Sequence, residues 1–105
     1  MRSKVLTYMG FAKKSGNLVS GVNTCTFNMG RGKVRLMILA EDISPGSEKK
    51  IMKEIRRYKV KHVKYGSIDE MSRATGGQGR SVFGILDDNF AETILKAIED
   101  ECGKR

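Results

Sequence analysis

The stretch LVSGVNTCTFNMGRGKVRLMILAED, Leu18 to Asp42, decides the fold. It predicts a short strand, a Gly-x-Asn turn that opens a helix, a basic helix end, and a buried strand closing on Ala40-Glu41-Asp42. The first turn of a helix leaves backbone N–H groups without internal partners, and they carry a partial positive charge. Gly21 lets another backbone approach there, and Asn23 adds an amide donor and acceptor. In a chain of formal net charge +8 this is a seat suited to a phosphate backbone. Ordinary capping of a helix by Ser, Gly or Asn is the competing reading of the same residues.

Outward from that stretch, helical and extended segments alternate. Val5, Met9 and Ala12, with Leu6 beside them, recur at helical spacing until Ser15-Gly16. Asn17 to Ser20 is a short strand. Val22, Cys25, Thr26 and Met29 form one face of a second helix that stops at Gly30 and Gly32. Val34 to Ala40 is apolar apart from Arg35, as expected of a strand covered on both faces. Ser44-Pro45 starts a third helix, with a hydroxyl cap and a proline at the first helical position, and Ile51, Ile55 and Tyr58 supply its inner stripe. His62 to Tyr65 is a third strand.

Ser67-Ile68-Asp69-Glu70 matches a capping box, so a short helix runs to Thr75 with Ile68, Met71 and Ala74 inward. Gly76 to Arg80 is a flexible loop, and SVFGILD from Ser81 is the fourth strand. Asp88 or Asn89 caps the last helix. Phe90, Ile94 and Ile98 line its buried side, with Ala91, Leu95 and Cys102 alongside. The alternation implies an α/β fold with helices on both faces of one sheet. No repeat or linker interrupts it, so residues 1–105 read as one domain.

Twenty Lys and Arg against twelve Asp and Glu favour a polyanionic partner, of which nucleic acid is the commonest for a small domain. A solubilising surface charge is the plain alternative. The longest uninterrupted apolar run, Leu36 to Ala40, is far short of the ~20 residues a membrane helix needs. Lys4, Thr7 and Gly10 break up the N-terminal segment, leaving no apolar core of signal-peptide length. No membrane is expected, and the chain reads as cytoplasmic. Cys25 and Cys102 form no CxxC and lie near no histidine pair, so both read as buried small hydrophobes.

With these motifs placed, the chain resembles the ribosomal protein L seven Ae family, in particular its small bacterial members of the YlxQ type. The SGVN turn, the buried strand ending in AED, and IDEMSRATG followed by a loop and SVFGI carry the likeness, which covers nearly the whole chain. The resemblance implies a three-layer α-β-α sandwich with a four-stranded mixed sheet. It also implies a single RNA-binding domain for kink-turns, bent internal loops with tandem sheared G·A pairs. Two surfaces would serve: the start of the second helix, and the loop between the fourth helix and fourth strand. By this likeness Gly21 admits the RNA backbone, and Asn23 contacts the G·A region. Gly76, Gly77, Gln78, Gly79 and Arg80 cover a flipped-out base.

Where many members carry a guanine-reading glutamate, this chain has Thr24, and a family lysine is replaced by Phe27. Val19 and Ser20 occupy two usually basic or polar positions. A hydroxyl matches a guanine edge less well than a carboxylate. Loss of a phosphate-facing lysine removes one counterion-release contribution. Shape and backbone geometry should therefore dominate recognition.

Lys13, Lys14, Arg31, Lys33 and Arg80 border the recognition segments and are candidate phosphate contacts, which position RNA without reading it. Lys49, Lys53, Arg56 and Arg57 share one side of the third helix, either as a solvated face or as a second nucleic-acid surface. Phe27 is either exposed to stack on a base or packed under that helix. Tyr8, Phe11, Tyr58, Tyr65, Phe83 and Phe90 mostly fit core or boundary positions. The glycine loop follows a helix and opens a strand, the reverse of a dinucleotide fingerprint.

His62 reads as a half-buried strand residue, Glu41-Asp42 as turn caps, and Glu99-Asp100-Glu101 as solvated. No nucleophile, base and orienting group converge, so neither catalysis nor a cofactor or metal is expected. The expected partner is structured RNA, ribosomal RNA first, with ribosomal or ribonucleoprotein proteins beside it. The alternative is a protein-docking module that offers its basic third helix to an acidic partner.

Overall fold

A computed structural model describes the backbone of residues 3–103 and the side chains of residues 3–101, so the inward placement of Cys102 lies outside the described residues. The elements are α1 (Lys4–Lys14), β1 (Leu18–Ser20), α2 (Val22–Gly30), β2 (Leu36–Leu39), α3 (Pro45–Tyr58), β3 (His62–Lys64), α4 (Ile68–Ala74), β4 (Val82–Ile85) and α5 (Asp88–Gly103). The strands form one sheet in the order β1-β4-β2-β3. β4 runs antiparallel to both β1 and β2, while β3 runs parallel to β2.

Successive side chains of a strand point to opposite faces, and that alternation divides the core in two. Leu36, Ile38 and Ala40 join Val5, Met9, Met71, Phe83, Ile94 and Ile98 beneath α1, α4 and α5. Met37 and Leu39 join Cys25, Met29, Ile51, Ile55 and Val82 beneath α2 and α3. The result is the three-layer α-β-α sandwich with a mixed sheet. All four residues of β2 are buried, as its unbroken apolar run requires, although pairing covers only part of Val34 to Ala40 and Arg35 is exposed.

The register fixes what shares an edge. Ser20 pairs with Phe83, Leu39 with Val82, and Leu39 also with Lys64. The end of β1, the start of β4 and the ends of β2 and β3 therefore lie together. Asn17, whose carbonyl accepts from the Leu86 N–H at 2.8 Å, marks the opposite edge.

Several sequence expectations are corrected. Tyr58 leaves the inner stripe of α3 and is 37% exposed, because its position in the last turn carries the ring past the core to the end of α2. In α4 the buried residues are Met71 and Ser72, while Ala74 is half-buried. Neither Asp88 nor Asn89 caps α5. The Asp87 carboxylate accepts from the Phe90 N–H at 2.9 Å, and Asp88 instead pairs with Arg35 at 3.3 Å. Phe11 and His62 are exposed, the latter at the first position of an edge strand. Glu101 is not merely solvated: it accepts from Tyr65 Oη at 2.6 Å and from Ser3 Oγ at 2.9 Å, tying α5 to the end of β3 and the cap of α1.

Candidate nucleic-acid interface

Gly21 ends β1 and caps α2 with a φ of 93°, a conformation that favours glycine. Its N–H donates to the Val82 carbonyl at 3.0 Å, which fixes the turn to the start of β4. No side chain caps α2, so the ordinary capping role that Ser20 or Asn23 could have played is not taken up. Asn23 and Thr24 in the first turn are exposed, while Cys25 and Met29 point into the core. Asn23, Phe27 and Arg31 follow at i, i+4 and i+8, so they form one outward stripe along the helix. Phe27 is 61% exposed, with the Arg31 guanidinium 5.5 Å from its ring centre.

The loop Gly76 to Arg80 reaches the same turn. A β-carbon at position 21 would lie 2.9 Å from Arg80 Nη1, so the guanidinium rests over the glycine. Buried Ser72 holds this loop: its hydroxyl accepts from the Arg80 N–H at 2.9 Å and faces the Arg80 carbonyl at 3.2 Å. Gly77 N–H closes back on the Ser72 carbonyl at 2.8 Å, and Gly76 and Gly79 take positive φ. Gly76, Gln78, Gly79 and Arg80 are exposed. The two segments singled out in the sequence thus form one surface at one edge of the sheet. Ser72 escaped sequence reading because its bond crosses eight residues to a backbone whose position only the loop decides.

Not every cation belongs to that surface. Arg31 stands at the far end of α2, about 13 Å from the helix start. Lys33 follows it and Lys13 closes α1 near Asn17, both toward the opposite edge of the sheet, while Lys14 lines a groove with Arg73 and Ala74 at the end of α4. Among the proposed phosphate contacts only Arg80 touches the Gly21 turn.

Burial pushes the Cys25 thiol up to about 12, against a smaller opposing effect of Arg80 and of a hydrogen bond involving the Gly84 backbone. The thiol therefore holds its proton at neutral pH and acts as core, not as a nucleophile or ligand. Among the described residues no group of three His, Cys, Asp or Glu could hold a metal ion, and no helix is long and apolar enough to cross a membrane. Glu41 and Asp42 are turn residues: Asp42 Oδ1 accepts from the Ile68 N–H at 2.8 Å and so caps α4.

A sequence model of the ribosomal protein L7Ae/L30e/S12e/Gadd45 family matches residues 3–95. The chain is 29% identical over 98 residues to an RNA-binding protein YlxQ of Enterococcus faecium, covering 93% of this chain and 94% of that protein. It is 26% identical over 91 residues to the RNA-binding protein YlxQ of Bacillus subtilis, covering 87% and 91%. Among solved structures, a protein of unknown function from Bacillus halodurans superposes with a TM-score of 0.86 at 26% identity, over 93% of this chain and 99% of that one. A Giardia lamblia 15.5kD RNA binding protein superposes with a TM-score of 0.71 at 20% identity, over 90% and 82%, a likeness of fold.

Proposed function

The chain belongs to the ribosomal protein L7Ae/L30e/S12e/Gadd45 family as a YlxQ-type member, and from that premise we propose that it is a non-catalytic RNA-binding protein that recognises a kink-turn or a similar bent internal loop in structured RNA, ribosomal RNA first. The observation that carries the reading is the contact between the two segments: Arg80 lies over Gly21, which brings the helix-start amides, the Asn23 side chain and the small-residue loop onto one surface. A sharply bent backbone brings phosphates and an unstacked base together within such a footprint, which a straight duplex does not.

Roles follow from chemistry. The α2 N-terminus attracts phosphate through its free N–H groups. Asn23 offers both donor and acceptor to the edges of sheared pairs. The loop glycines mould around a flipped-out base, and Arg80 supplies a fork of donors for a phosphate or a guanine edge, offsetting in part the glutamate and lysine replaced by Thr24 and Phe27.

Titration of the full chain against a kink-turn RNA and a straight duplex of equal length tests the reading. Tighter binding of the bent RNA, lost in Asn23→Ala, is the expected result. Equal affinity for both would leave only general attraction to polyanions.

A further inference from the structure

Resting on that reading, we propose that the outer face of α2 and the last turn of α3 form a stacking track for unpaired nucleotides that leave the bend, built on Phe27 and Tyr58. Phe27 is 61% exposed and packs into no core, and Tyr58, which rests against the end of α2, still keeps 37% of its surface open. Each has an arginine over it: Arg31 lies 5.5 Å from the Phe27 ring centre and Arg57 5.3 Å from that of Tyr58. The two pairs meet at one joint. Gly30 ends α2 so close to α3 that a β-carbon there would lie 3.3 Å from the Tyr58 hydroxyl.

Charge selects the occupant. Lys49, Lys50, Lys53, Arg56, Arg57 and Lys59 are all exposed on or just past α3. The two acids of that helix are engaged, Glu54 with Arg57 at 3.8 Å and Glu48 with Lys64 at 2.7 Å. A polyanion with flat faces uses both features of this surface, whereas an acidic protein would use the cations and leave the rings idle. Aromatic and guanidinium faces stack on any base, so the track is tolerant of sequence. From Asn23 to Arg31 it runs about 12 Å, enough for roughly four stacked nucleotides.

The test uses the full chain with a blunt bent RNA, the same RNA carrying a short 5′ or 3′ single-stranded extension with a fluorescent adenine analogue, and the free extension oligonucleotide. Phe27→Leu and Tyr58→Leu keep apolar bulk but remove the rings. One extension should tighten binding about fivefold or more per stacked ring. The analogue should be quenched, and the double variant should lose both the quenching and the gain in affinity of extended over blunt RNA. A gain that is absent, or that survives the double variant, overturns the track. So does polyglutamate that displaces the extension equally from wild type and double variant. Ring-dependent quenching of the free oligonucleotide without any preference for bent over straight RNA would uphold the track while sinking the kink-turn reading.

Discussion

Gly21 concentrates two constraints in one residue. Its positive φ strains any side chain, and the space a β-carbon would take is held by Arg80. Gly21→Ala should cost about 1–2 kcal/mol in a urea unfolding midpoint and displace Arg80, weakening bent-RNA binding. An alanine variant with wild-type stability and affinity would show that the guanidinium is not seated there. Cys25 makes a second residue-scale test. Its folded pKa is raised from 9.0 to about 12, so its contribution is complete below pH 9 and is lost as pH rises toward 12. Tyr65, raised to about 12 by burial and then by its bond to Glu101, acts with the same sign from pH 10 upward. Stability should fall with alkalinity, and Cys25→Ala, less stable at neutral pH, should fall less steeply between pH 9 and 10 in pH-dependent thermal melts. At this scale Gly21 and Asn23 were legible because their conformation and exposure are local. Arg80 over Gly21 was not, because nothing local joins residues so far apart.

Among the elements, α4 matters most because it delivers the loop. At seven residues it is too short to persist on local propensity. Its N-terminus is instead held three ways. Ser67 Oγ accepts from the Glu70 N–H at 3.1 Å, Glu70 Oε1 accepts from the Ser67 N–H at 3.0 Å, and Asp42 accepts from Ile68. Ser67→Ala should cost about 1 kcal/mol and also weaken bent-RNA binding, since Ser72 on the same helix anchors Arg80. Ser44→Ala removes the comparable cap of α3, whose hydroxyl accepts from the Ser47 N–H at 3.3 Å. It should cost a similar amount in urea and spare the bent RNA. Equal losses of affinity in both variants would deny α4 its special role. Both caps were readable in the sequence because capping chemistry sits within four residues. The Asp42 bond was not, because it joins a β2 turn to a helix across the sheet edge, and Tyr58 misled because periodicity cannot say where a helix outruns the core.

Over the whole molecule, alternation of segments gave the layers but not the strand order. Which strand pairs with which depends on where the connections cross, and spacing is silent on that; the mixed sheet was expected only from the family likeness. The same limit applied to charge. The net surplus of eight cations marks the chain as a polyanion binder, but the sheet divides those cations between two edges and the outer face of α3. Lys13 closes α1 on the face of the sheet opposite α2 and α3, so an RNA lying over Arg80 and those two helices should leave it unengaged. Salt dependence reads that partition. If Arg80, Arg31, Arg57 and Lys53 are the engaged set, log K should fall with log salt at a slope of about −3 to −4, whereas eight engaged cations would give roughly −6 to −7. Arg80→Gln should make the slope shallower by about 1 and Lys13→Gln should leave it unchanged. A wild-type slope near the larger value, or one that responds equally to both substitutions, would mean that RNA is held by the general charge of the surface and not by the Gly21–Arg80 edge.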